Sequence, residues 1–373
     1  MNFLIAADFA PQARIKELIL KQDFRFFDDI RRWTNQADYS IVNLEAPLIQ
    51  CNPQNAISKT GPNLCAPVET TGAIRYAGFD AVTLANNHFR DYGQAGVDST
   101  INACQEAKID YVGGGTNIEK CRKPLFKSIK GERIAIINVC ENEWSIATAE
   151  RGGSNPLNPI QQYYDIQEAK KEAQYIIVIV HGGTEWYNLP SPRMKETYRF
   201  FIDAGADAVI NHHQHCYSGY ETYNNKPIFY GLGNFCFDKG MQEPTFWNEG
   251  YMVMIKFDKT ISFELIPYVQ CAREATITIL EDRTSFYDSI EKLNEIIAND
   301  NLLQIKFQEK AFQRGMMVKE LLEPFPNRIF TSMRARGWFP SLVSKKKLTN
   351  LLAHTQCEAH RDIMVEYLQN IIK

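Results

Sequence analysis

Five times before residue 216, a short β-rich run ends and the next residue can bind a metal ion or move a proton. FLIAA leads into Asp8, SIVNL into Glu45, and AVTLA into Asn86-Asn87-His88; YIIVIV leads into His181, and DAVIN into His212-His213-Gln214-His215. The runs, Asn2–Ala7, Tyr39–Leu44, Ala81–Ala85, Ile134–Val139, Tyr175–Val180, Ala208–Ile210 and Pro227–Tyr230, alternate with helical patterns such as Gly93–Ala107 and Pro192–Ala204. That rhythm predicts an α/β layered domain. Tyr251–Phe257 and Ser262–Tyr268 read as a closing antiparallel pair. From about residue 280 the pattern turns helical and basic, broken by Pro324, Pro326, Gly337 and Pro340. The expected division is therefore a domain over 1–275 and a helical, basic appendage over 276–373.

Carboxyl ends of strands in α/β sheets form the crevice where ligands bind. If these strands share one sheet, the five groups converge at one edge, whatever their separation in sequence. The histidines support that reading. Of seven, five (His88, His181, His212, His213, His215) stand at strand ends, and only His354 and His360 lie in the tail. Imidazole with carboxylate suits zinc, manganese or iron. Two ions about 3.5–4 Å apart can lower the pKa of a bridging water and stabilise an in-line displacement. Each residue has a plainer reading alone: Asp8 as a helix N-cap, Glu45 on a solvated loop, Asn86-Asn87-His88 as a turn, His181-Gly182-Gly183 as a tight turn. Five such coincidences in succession are what argue for a site.

Charge and cysteine content narrow the class. A formal net charge of -3 excludes a general nucleic-acid binder, although eleven Lys/Arg against five Asp/Glu from Lys310 onward make the tail basic. No stretch reaches the ~20 apolar residues of a transmembrane helix, and MNFLIAADFA lacks the basic start of a signal peptide. Nine scattered cysteines with no C-x-x-C pair read as reduced thiols, which predicts a cytoplasmic protein.

The order Asp8, NLEAPL, LANNHFRDYG, HGGTEW, HHQH followed by GYE, and YGLGNFCFD resembles the bacterial capsule-synthesis family, the poly-γ-glutamate-capsule proteins typified by CapA. That family is similar to calcineurin-like metallophosphoesterases. The resemblance covers roughly residues 2–240. It implies a four-layer α/β/β/α sandwich with a C-terminal helical appendage and two divalent transition-metal ions. By the same resemblance Asp8 is the first metal aspartate, Glu45 stands for the bridging carboxylate, and Asn87 is the amide ligand. His181 and His213 ligate one ion and His215 the other, while His212 is a neighbour outside the ligand set. His88 becomes the proton donor or transition-state stabiliser, and Glu185 touches substrate or bound water. Asp91, three residues after His88, is a candidate to hold its imidazole in one tautomer. Asn234 and Phe235 shape the pocket wall, with Gly231 and Gly233 serving backbone turns. Arg14 is read as lying on a solvated helix face.

This sequence departs from the family at Ala7, where Gly is usual, and from the wider superfamily at Ala10, where a histidine ligand would stand. One metal site is therefore a ligand short. The function implied is a metal-dependent, phosphoesterase-like hydrolase linked to capsule or exopolymer synthesis, acting on an anionic small molecule or polymer. The alternatives are a non-catalytic accessory protein of capsule assembly and an amide or peptide hydrolase with the same metals. Peripheral contact with capsule machinery goes with each. Substrate choice is expected from the loops Cys51–Cys65 and Glu141–Pro159, the second carrying Trp144.

Overall fold

The structure, a computed structural model, describes residues 1–240 and 245–372. Its strands are β1 (Asn2–Phe9), β2 (Tyr39–Leu44), β3 (Ala81–Thr83), β4 (Asp110–Val112), β5 (Gly114–Gly115), β6 (Leu125–Ile129), β7 (Glu132–Cys140) and β8 (Gly153–Ser154). They continue with β9 (Tyr175–His181), β10 (Ala208–His212), β11 (Tyr220–Tyr223), β12 (Lys226–Phe229), β13 (Asn234–Cys236), β14 (Glu249–Lys256), β15 (Ser262–Gln270) and β16 (Ile277–Ile279). The helices of the larger unit are α1 (Ala13–Leu20), α2 (Asp28–Thr34), α3 (Thr70–Ala77), α4 (Gly93–Glu106), α5 (Ile118–Cys121), α6 (Pro159–Ala169), α7 (Pro192–Ala204) and α8 (Thr284–Ala298). Beyond them run α9 (Asp300–Leu321), α10 (Arg328–Ala335), α11 (Lys345–Gln356) and α12 (Glu358–Ile372).

Two large sheets carry the site. One runs β16-β15-β14-β1-β2-β3-β4, with β13 pairing parallel to the end of β1; the other runs β11-β12-β10-β9-β7-β6. The inner strands β1 and β2 are buried along nearly their whole length, as are β9 and β10. One continuous apolar cluster takes Leu4, Ile41 and Val253 from the first sheet together with Ile136, Ile177 and Ile210 from the second. Helices α2 and α4 pack on the first sheet, and α6 and α7 on the second. This is a four-layer α/β/β/α sandwich, followed in the chain by C-terminal helices.

The five strand-end groups belong to both sheets, which corrects the one-sheet premise. Asp8 is the next-to-last residue of β1, and Glu45 and Asn86-Asn87-His88 come after β2 and β3; His181 and the histidine cluster come at the ends of β9 and β10 in the other sheet. Parallel pairing within each sheet (Asp8 beside Asn43, His212 beside His181) aligns the carboxyl ends. The shared core then sets the two rows of ends against one another.

The chain falls into two compact units, Met1–Gln304 and Ile305–Lys373. The sequence reading starts the appendage earlier, at 276. In the structure, Ile277–Ile279 extends the first sheet and α8 packs on β11. Cys51 and Cys65 form a disulfide, which corrects the expectation of thiols throughout. Their loop closes because Leu48 bridges Ala66 and the Ile49 N–H donates to the Ala66 carbonyl, bringing both ends together. The thiol premise behind a cytoplasmic location fails at this pair. Among the described residues no helix is long and apolar enough to cross a membrane.

Candidate metal centre

Asp8, next to last in β1, is at zero exposure and held on both oxygens. Asn43 Nδ2 donates to Oδ1 at 2.7 Å, and the His213 backbone N–H donates to Oδ2 at 3.1 Å. Asn43 is the Asn of NLE, missed as a site residue because it precedes the ionisable Glu45. Thr83 Oγ1 donates to its carbonyl at 3.0 Å, so the three adjacent strands β1, β2 and β3 fix one another's ends.

Around Asp8, two groups of donors have their ligating atoms within 4.8 Å of one another: Glu45 with His181 and His213, and Asp8 with Glu45 and His215. Glu45 is common to both. Its Oε1 lies 3.6 Å from His181 Nε2 and 3.8 Å from His215 Nε2. Asn87 Oδ1 and His213 Nδ1 each lie 3.1 Å from His181 Nε2, so four donors face one point. His215 donates through Nδ1 to Asn234 Oδ1 at 2.9 Å, which leaves Nε2 as its ligating nitrogen. Asn234 thus orients a donor and does more than line a wall. Gly233 before it has φ +86°, and a Cβ there would meet the Glu249 carbonyl at 2.7 Å. His213 and His215 themselves adopt φ of +91° and +56°, conformations disfavoured for side-chain-bearing residues and found mostly where function demands them.

These residues fit a pair of divalent cations. Both oxygens of Glu45 are buried without a hydrogen-bond partner, an arrangement that costs several kcal/mol unless positive charge is supplied. Burial pushes the Asp8 carboxyl up to about 7 against its bonds from Asn43 and His213. Burial, with Asp8 next in importance, raises Glu45 well above the carboxylate range. Burial and neighbouring imidazoles hold His181 and His215 well below the usual histidine range. Neutral imidazoles beside carboxylates forced to share charge are what a transition-metal ion would bind. His212, pushed by burial to about 3, has both ring nitrogens unpartnered and Nδ1 at 3.5 Å from Asp8 Oδ1; it stands outside both donor groups. Ala10 is buried and contributes no donor to the Asp8 group.

Beside the donors, His88 Nδ1 lies 2.6 Å from Asp91 Oδ2, both side chains buried. Burial lowers the His88 imidazole, opposed by Asp91 and reinforced by Lys59 and His213. Lys59, its side chain 2% exposed, is ion-paired with Asp91 Oδ1. No strand end or motif announces it, because its loop has no periodicity. Glu185 is half-buried, and its charge is felt at Glu45. Glu143 Oε1 approaches His213 Nε2 at 3.6 Å from the 141–159 loop, where Ser145 also donates to the Asn87 carbonyl. Trp247 packs on the His215 ring at 4.8 Å, with Trp186 stacked on it and the Lys239 ammonium over both indoles. Phe235 is buried within the first sheet's aromatic core, against Phe27 and Tyr268. Arg14 is no solvated helix residue. It pairs with Asp238 through two nitrogens at 2.8 Å and donates to the Cys271, Ala272 and Arg273 carbonyls.

Fold and site together define a class of layered α/β/β/α domains that carry carboxylate–imidazole groups where the strand ends of their two sheets meet. Within that class the chain belongs to the family described as bacterial capsule synthesis protein PGA_cap, whose model matches residues 3–239. The capsule biosynthesis protein CapA of Bacillus anthracis is 30% identical over 326 residues, 83% of this chain and 78% of that one. The PGA biosynthesis protein CapA of Bacillus subtilis is 32% identical over 221 residues, 58% of this chain and 57% of that one. A probable polyglutamine synthesis accessory protein of Mycobacterium tuberculosis is 26% identical over 216 residues, 54% of this chain and 52% of its own. Among solved structures, a phosphatase from Mycoplasma pneumoniae aligns over 73% of this chain and 94% of its own at 16% identity and a TM-score of 0.47. At that distance it adds nothing to the reading of the site.

Proposed function

We propose that this chain is a metal-dependent hydrolase of phosphoesters serving the assembly of an anionic capsule or exopolymer. The observation that carries this reading is the pair of buried carboxylate–imidazole groups sharing Glu45. Asp8, Glu45 and His215 would hold one divalent ion; Glu45, Asn87, His181 and His213 would hold the other. Manganese, zinc and iron all match these donors. When bound, two such ions supply positive charge for the transferred group and make the attacking water more acidic. The chain's own residues orient and move protons. Asp91 accepts the Nδ1–H of His88, so Nε2 is the nitrogen that gives a proton to, or takes one from, the reacting oxygens. Glu185 is assigned to the rim, in contact with substrate. Its partner would be capsule-assembly machinery met peripherally, a reading that the capsule and PGA biosynthesis roles in the relatives' names support.

A second reading, a non-catalytic accessory protein, is favoured by the missing donor at Ala10 and by the accessory role in one relative's name. One experiment separates them. Protein purified without a His-tag is assayed for bound metal by elemental analysis, and for hydrolysis of bis(p-nitrophenyl) phosphate and a γ-linked glutamate peptide. The variant His213→Ala with His215→Ala is run alongside. We expect near-stoichiometric metal and ester hydrolysis in the wild type, both lost in the variant. Metal without hydrolysis selects the accessory reading, cleavage of the peptide alone makes the enzyme an amidase, and hydrolysis retained by the variant rejects the site.

A further inference from the structure

We propose that Lys59 is a positioning residue of this site. It holds the Asp91 carboxylate and, through it, fixes which nitrogen of His88 faces the reacting group. The loop that carries it is largely exposed from Asn52 to Asn63, yet the Lys59 side chain turns inward and is 2% exposed. Its ammonium pairs with Asp91 Oδ1 and stands 3.2 Å from His88 Nδ1. Asp91 Oδ2 meanwhile lies 2.6 Å from that same nitrogen and accepts the Leu64 N–H at 2.7 Å.

His88 Nδ1 can serve only one of these neighbours. If it accepted a proton from Lys59, it would turn a lone pair toward the Asp91 carboxylate at 2.6 Å, acceptor against acceptor. If it carries the proton, it donates to Asp91 in a short charge-assisted bond, and the Lys59 ammonium keeps its ion pair with Oδ1. Lys59 therefore holds the carboxylate from its far side, in the place from which Asp91 selects the Nδ1–H tautomer. His88 Nε2 is then the free nitrogen, in electrostatic range of His181 and His215.

Anchoring the loop does not explain the lysine. The Cys51–Cys65 disulfide already closes it, Gln12 Nε2 donates to the Cys65 carbonyl at 3.1 Å, and the Ile57 N–H donates to the Asp91 carbonyl at 2.9 Å. A buried ion pair is a poor choice for stability alone, since desolvation offsets most of its attraction. Its value lies at the third member, His88.

The activity arm of the test rests on the hydrolase reading, and the spectroscopic arm does not. Zinc-loaded protein labelled with 15N-histidine is compared as wild type, Lys59→Met and Lys59→Arg by long-range 1H–15N spectra, with His88 assigned from its loss in His88→Gln. The wild type should show His88 as the single Nδ1–H tautomer. Lys59→Met should lose that pattern and Lys59→Arg should restore it. With bis(p-nitrophenyl) phosphate, Lys59→Met should lower kcat about 10–100-fold, the usual effect of removing an outer partner, with KM and bound zinc unchanged. The paired Cys51→Ser, Cys65→Ser variant should shift both readouts the same way by less. If Lys59→Met does not fold, Lys59→Gln carries the same comparison. An unchanged His88 pattern in a folded variant overturns the proposal whatever the activity does. A raised KM with that pattern unchanged also overturns it, by placing Lys59 on the substrate. Should the wild type cleave no ester, the hydrolase reading falls and the spectra alone decide for Lys59.

Discussion

Glu45 and Asp8 set the pH behaviour of the centre. In the metal-free protein burial holds the Asp8 carboxyl at about 7 against 3.8 in an unfolded chain, so the folded state binds that proton more tightly. Its stabilising contribution is complete below the unfolded value and is lost as pH rises through about 7; at 1.36 kcal/mol per unit this is about 4 kcal/mol. Glu45 is displaced in the same direction. His181 and His215 are displaced the other way, and theirs is lost as pH falls below about 6.5. A divalent cation reverses the balance, because it needs ionised carboxylates and neutral imidazoles and competes with protons for the same atoms. We therefore expect the rise in Tm on adding manganese or zinc, measured against a chelated control by scanning calorimetry, to grow between pH 5.5 and pH 8. A flat or falling difference would mean that these carboxylates do not hold the ion.

At the scale of elements, the strands and their chemistry were legible and their partnership was not. The bounds of Tyr39–Leu44 and Pro192–Ala204 match the structure, and Asp8, Glu45, Asn87, His181, His213 and His215 all stand where an apolar run stops. Local pattern reports burial and period, and those hold within a single strand. Which sheet a strand joins depends on pairing across the chain, so two sheets read as one. Two-residue strands such as Gly114–Gly115 carry no period at all. The loop from Cys51 to Cys65 hid the most: its exposed polar residues conceal both a cross-link and a lysine that matters only after folding brings Asp91 beside it. The cross-link is directly measurable. Titration of the unfolded, unreduced chain should find seven free thiols, not the nine in the sequence. Loop-closure entropy for a loop of about 15 residues gives about 3 kcal/mol, so Cys51→Ser with Cys65→Ser should lose stability of that order in urea unfolding. Nine free thiols, or an unchanged urea midpoint, would show that the loop closes without it.

The whole molecule divides its chemistry and its surface unequally. Every proposed ligand, together with His88, Asp91 and Lys59, lies in the unit Met1–Gln304, and so does its continuous apolar cluster. Lys195, nearly buried, donates to the Ile297 carbonyl at 2.5 Å and pairs with Asp300, so the end of α8 and the first turn of α9 are pinned within that unit. The unit Ile305–Lys373 has a different character. Arg334 pairs with Glu320, and Glu323 accepts from the Leu342 N–H, but Phe312, Leu321, Ile329, Trp338, Ile363 and Tyr367 are all more than 60% exposed. These apolar side chains, interleaved with Lys and Arg along the sequence, lie open to solvent. Among the described residues, none in this unit belongs to the metal groups. A chain ending at Gln304 should therefore fold, keep its metal content by elemental analysis, and hydrolyse the ester at the full-length rate, while binding less of a dye that reports exposed apolar surface. If the shortened chain loses its metal or its thermal transition instead, the smaller unit is part of what holds the two rows of strand ends in register.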